Sequence, residues 1–134
     1  MDTMDQGVLE KWVKYLSSGK GNASASCDFA ELILSDAVTQ EQQIELLKTG
    51  DANVRRAVAW AICDLSRDNE AMRYLMNECF CDGDAVVRRH VWGAVSQSQC
   101  LSFDQKQRFV DKLGEERDEV VLQFVRDVRL ASQS

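Results

Sequence analysis

The 134-residue chain is 45% apolar and 28% charged, enough apolar material for one continuous core and too much for a disordered chain, so a single domain spanning 1–134 is expected. Its formal net charge of −6 gives an averaged field that repels phosphate backbones and anionic lipid and favours basic partners. The sequence contains no stretch near the roughly 18 apolar residues of a membrane span, and the start MDTMDQGVLEKW has neither the cationic nor the apolar part of a secretion signal, so a cytoplasmic protein is expected.

Proline is absent, which leaves glycine, Asn/Asp and Ser/Thr to punctuate the chain and favours helices joined by short turns. Val8, Leu9, Trp12, Val13 and Leu16 predict a first helix, and Phe29, Ala30, Leu32, Ile33 and Leu34 a second. Together, residues 1–38 read as an irregular amino-terminal hairpin. Between its helices, the small and polar run from Ser17 to Ser26 reads as a mobile linker. Ser18-Gly19-Lys20-Gly21 within it lacks the glycine spacing, preceding strand and following residue of a phosphate loop. Asn22-Ala23-Ser24 matches a glycosylation sequon, which means little without a secretory signal.

From Thr39 onward the pattern becomes periodic. Thr39 with Gln42 forms a capping box ahead of Ile44, Leu46 and Leu47, and Ser102 with Gln105 forms another ahead of Phe109, Val110 and Leu113. A middle helix is predicted from about Asp68 to Phe80, carrying Met72, Leu75, Met76 and Cys79. Each of these helices precedes a copy of one segment: GDANVRRAVAWAI from Gly50, GDAVVRRHVWGAV from Gly83 and RDEVVLQFVRDVR from Arg117. Asp51, Asp84 and Asp118 head the copies at intervals of 33 and 34 residues, within the range of helical repeats, and each sits where an N-cap is expected. At about 100° per residue, Val54, Val58, Ala61 and Leu65 share one face; Val87, Val91 and Ala94 repeat that stripe, as do Val121, Val125 and Val128. The pattern gives helical hairpins over 39–66, 67–99 and 100–131.

Asp-x-x-Val-Arg-Arg at Asp51 to Arg56 and at Asp84 to Arg89 resembles the second helix of a HEAT-type repeat, and the short period is similar to the phycobilisome-lyase-type HEAT-like subgroup. The resemblance covers roughly residues 39 to 130 and implies an all-α fold, a short right-handed α-solenoid of about four antiparallel helical hairpins. Leu122 and Gln123 replace both arginines in the third copy, which fits a carboxy-terminal cap.

Arg55, Arg56, Arg88 and Arg89 are the foremost candidates for partner binding, because equivalent positions in stacked repeats form a ladder. The competing reading, which the family's pattern implies, is that one arginine of each pair bonds an aspartate or carbonyl of an adjacent repeat. Arg56 and Arg89 project about 200° from the stripe centre, so these two are expected to face solvent. Trp60 and Trp92 are candidates as aromatic anchors, although they are not equivalent: Trp60 aligns with Gly93 and Trp92 with Ala59. Trp92 lies one turn from Arg88 and Arg89, and Arg126 together with Arg129 extends the basic set. His90, the sole histidine, falls at the edge of the stripe and reads as packing.

Among the five cysteines, Cys79 and Cys81 are too few and too close for a zinc site, and Cys27, Cys63 and Cys100 complete a set without disulfide-framework spacing. Glu41, Glu45, Glu115, Glu116, Asp118 and Glu119 lie near helix ends and on faces expected to be exposed, with no general acid–base pair among them. Neither a metal nor a cofactor is implied. The expectation is a non-catalytic protein-interaction module that binds a macromolecule on its second-helix surface, one version being a small inhibitor or immunity-like protein. The alternative is nucleic-acid binding through the arginine ladder, as in the HEAT-like alkylpurine-DNA glycosylases. A cofactor-handling protein like the bilin lyases is a third reading.

Overall fold

The computed structural model describes residues 6–18 and 22–131. Among them are eight helices and no strand: α1 (Gln6–Ser17), α2 (Asn22–Leu34), α3 (Gln40–Thr49), α4 (Ala52–Leu65), α5 (Glu70–Cys79), α6 (Ala85–Gln97), α7 (Phe103–Lys112) and α8 (Glu119–Ala131). The chain divides into two compact units, Met1–Met72 and Arg73–Ser134, and α5 begins in the first and ends in the second.

Helix starts are set by local chemistry. Thr39 and Ser102 each accept from the amide three residues on, while Gln42 and Gln105 accept from the Thr39 and Ser102 amides, which completes both capping boxes. Asp51 and Asp84 cap α4 and α6 by accepting from Val54 and Val87, and Asp118 accepts from Val120 and Val121 at the start of α8. Asn69 supplies the same service to α5 through the Met72 amide. The chain leaves α4 through Ser66, whose left-handed backbone (φ 51°) lets its N–H return to the Ile62 carbonyl.

In the first unit, α4 packs against α2, α3 and α1. Its core stripe of Val54, Val58, Ala59 and Ala61 is fully buried, and Phe29, Leu16 and Leu47 complete the interior. Leu65, the last member of the sequence stripe, is only half-buried. The run from Ser17 to Ser26 is not all linker: α1 reaches Ser17 and α2 starts at Asn22, while Gly19, Lys20 and Gly21 lie outside the described residues. Ala25 and Ser26 are buried on α2, so tertiary packing recruits a small-residue stretch that shows no apolar periodicity in the sequence.

In the second unit, α8 packs against α6 and α7. Val87, Val91, Val95, Val121, Val125 and Val128 are buried, whereas Ala94 is half-buried. Phe80, Trp92 and Phe109 form an edge-to-face aromatic cluster, with ring centroids 6.4 and 6.1 Å apart. Lys106 is nearly buried and donates from Nζ to the Ser96 carbonyl at 3.0 Å, placing a cation on the last turn of α6 where the helix dipole favours one.

Candidate functional site

The paired arginines are positioned by the cap at the head of each second helix, and their first contacts are with the protein itself. Arg55 Nη1 donates to the Gly50 carbonyl at 2.9 Å, and Arg88 Nη1 donates to the Asp82 carbonyl at 2.7 Å. In both copies, therefore, the first arginine closes the turn that precedes its own helix.

Arg88 does more. Its Nε and Nη2 donate to the two oxygens of Glu116 at 2.9 and 3.0 Å, a bidentate pair in which the Glu116 side chain is only 4% exposed. Glu116 Oε2 also accepts from the amides of Arg117 and Asp118, so one carboxylate organises the connection between α7 and α8. Burial would raise the Glu116 pKa, but the Arg88 guanidinium and these two amides outweigh it and hold the group below its ordinary value. The bond to Glu116 likewise raises Arg88.

Arg89 pairs with the cap of the following copy: Nε and Nη2 donate to Asp118, the shorter contact being 2.8 Å. That guanidinium, helped by the amides at the head of α8, pushes Asp118 down to about 2. Arg89 is exposed, as its projection predicts, yet it is engaged with a carboxylate. Glu116 and Asp118, grouped by sequence with solvated acids, are instead mostly buried acceptors. The cap role expected of Asp118 is present, but no local signal identifies the arginine partners of either carboxylate, which lie 28 and 29 residues earlier.

Arg56 is half-buried rather than fully open. The two tryptophans separate as their registers differ. Trp92 is fully buried, its indole N–H donating to the Phe80 carbonyl at 2.9 Å, so it belongs to the core and not to the surface of this fold. Its counterpart Ala59 is equally buried, which marks that helix position as interior in both copies. Trp60 is 38% exposed. At the equivalent Gly93, the missing side chain lets the Phe124 ring approach to 3.3 Å of where a Cβ would stand. Arg126 is exposed on α8 and donates to Gln123 at 3.0 Å.

In the first unit, the head of α4 is tied to the end of α1. Ser17 Oγ donates to Asp51 at 2.6 Å, and Asn53 donates to the Ser17 carbonyl at 3.0 Å. The Ser17 hydroxyl and the Val54 amide together lower the Asp51 pKa. His90 is half-buried and its pKa is lowered by burial, which favours a neutral imidazole.

No group of three or more His, Cys, Asp or Glu side chains among the described residues is arranged to hold a metal ion. Cys79 is buried, while Cys27, Cys81 and Cys100 are exposed. No described helix is long and apolar enough to cross a membrane. Compared with known proteins, the chain matches no family model, no curated protein and no solved structure.

Proposed function

We propose that the chain is a protein-interaction module that engages a macromolecular partner on the outer strips of its second helices, and that its hairpins are HEAT-like repeats of a short right-handed α-solenoid. The architecture is supported by a motif that recurs in each unit: one second helix packs on another, α4 on α2 and α8 on α6, with a first helix beside it, α3 on α4 and α7 on α8.

The observation that carries the function is the outer strip of α4. Arg56, Trp60 and Asp64 follow one another at single-turn intervals there, and the large indole is left 38% exposed between a cation and an anion. Tryptophan and arginine are the residue types most enriched at binding hot spots. Charge supports a basic protein partner: residues 1–72 hold 12 acidic and 7 basic side chains, so five of the six net negative charges belong to the unit that carries Trp60. A small inhibitor that blocks a basic enzyme is the specific form this takes. The pairing of Arg88 with Glu116 and of Arg89 with Asp118 supports a protein partner over nucleic acid, since a guanidinium already neutralised releases few counterions from a phosphate backbone.

The test is a comparison of partners recovered from the native lysate by the wild type and by Trp60→Ala. A partner bound through this strip loses about 2 kcal/mol or more, roughly thirtyfold in Kd, while the thermal melt stays close to that of the wild type. Equal recovery by both proteins rules the strip out.

A further inference from the structure

A groove of about 300 Å³ opens in the second unit between α5 and α7, lined by Arg73, Met76, Asn77, Gln105, Arg108, Phe109, Lys112 and Leu101. In an acidic protein its rim is cationic, since three basic side chains and no carboxylate line it. Arg108 and Lys112 stand one turn apart on α7, both exposed, and neither has a salt-bridge partner among the described residues. This distinguishes them from Arg88 and Arg89, which are paired within the fold. Met76 and Phe109 form a nearly buried apolar floor, with half-buried Leu101 beside them, and at the edge stand Asn77, whose amide nitrogen donates to the Arg73 carbonyl, and Gln105, whose oxygen accepts from the Ser102 amide.

We infer that this groove receives an acidic peptide segment of a partner protein, a large apolar side chain entering over Met76 and Phe109 while flanking carboxylates meet Arg108 and Lys112. The volume lies at the lower end of the range for ligand pockets, about 300–1,000 Å³, which suits one or two anchoring side chains rather than a whole cofactor. Guanidinium groups recognise carboxylates through two parallel hydrogen bonds, so the rim gives direction as well as charge. A single strand of nucleic acid needs aromatic faces on which bases stack, whereas the one ring here, Phe109, is only 9% exposed. The groove shares no residue with the outer strip of α4, and its occupancy does not depend on the function proposed for Trp60.

Fluorescence anisotropy tests the inference on the full-length protein. The probes are a short labelled peptide of glutamate with a central Leu-Phe pair, its lysine counterpart, the glutamate peptide with serine in place of Leu-Phe, a single-stranded oligodeoxythymidine and vesicles of phosphatidylserine. The glutamate/Leu-Phe peptide is expected to bind, and the serine version to bind clearly more weakly. The double variant Arg108→Glu/Lys112→Glu changes only exposed side chains and is expected to weaken Kd about tenfold or more, with affinity also falling as ionic strength rises from about 0.01 to about 0.15 M. Trp60→Ala leaves this binding unchanged, which separates failure here from failure of the α4 strip. Equal binding of the lysine peptide, preference for the oligonucleotide or the vesicles, absence of binding, or indifference to the double variant each overturns the inference.

Discussion

A Cβ added at Gly50 would stand 2.5 Å from the Leu46 carbonyl oxygen and 2.6 Å from a methyl carbon of Val54, whereas one added at Gly83 meets nothing within 4 Å. The two glycines occupy the same place in their copies, so the identity of the residues conceals a difference in need. At Gly50 the clash involves backbone and a fully buried valine, neither of which can swing away. Gly50→Ala is therefore expected to destabilise the protein by about 1–3 kcal/mol in urea melts, and Gly83→Ala to change it by no more than about 0.5 kcal/mol. Similar losses for both variants would show that the turn before α6 is as tightly packed as the turn before α4. The tryptophans show the same dependence on context. Register alone shows that Trp60 and Trp92 are not equivalent, but only packing reveals that the Trp92 position is interior, with alanine filling it in the other copy.

At the scale of the element, the Glu116 carboxylate joins α6 to the connection ahead of α8, and the cost of disturbing it depends on what is left behind. Arg88→Met strands a buried carboxylate and is expected to cost about 2–3 kcal/mol. Glu116→Gln keeps an oxygen that accepts from the Arg117 and Asp118 amides, so its cost is smaller, about 1 kcal/mol. A double-mutant cycle is expected to give a clear coupling between Arg88 and Glu116 and none for Arg117 and Glu115, whose side chains are 86% and 77% exposed. Coupling of equal size in the two pairs would remove the special place given to Glu116. Here the division between legible and illegible is physical. The capping boxes of Thr39 and Ser102 and the caps of Asp51 and Asp84 can be read from sequence because donor and acceptor lie three residues apart. The partners of Arg88 and Arg89 cannot, because chain separation hides them. The start of α2 is missed for a related reason: its small residues carry no apolar periodicity, and only the packing that buries Ala25 and Ser26 reveals it. The groove cations Arg73, Arg108 and Lys112 fall on first helices, outside the repeated segment that draws attention to Arg55, Arg56, Arg88 and Arg89, although the four-residue spacing of Arg108 and Lys112 on α7 is visible in the sequence.

For the molecule as a whole, these groups predict a stability profile with two acid-side features. His90 has a lowered pKa in the folded protein, so the unfolded chain takes up its proton first, and stability declines as pH falls below the ordinary histidine value of about 6.5. His90→Gln is expected to remove that shoulder from a series of urea melts; a shoulder that persists must come from other groups. Asp51, Glu116 and Asp118 have lowered values, so their contribution is complete above the ordinary carboxylate range and is lost as pH falls through the folded values, about 2 for Asp118. Asp118→Asn should flatten this lower limb without touching the shoulder. The Glu116 carboxylate also leaves a mark in time. Because it shelters the amides of Arg117 and Asp118, protons there should trade with solvent deuterium on the slow schedule of the neighbouring helices, giving a stretch outside any helix that opens only when the surrounding structure does.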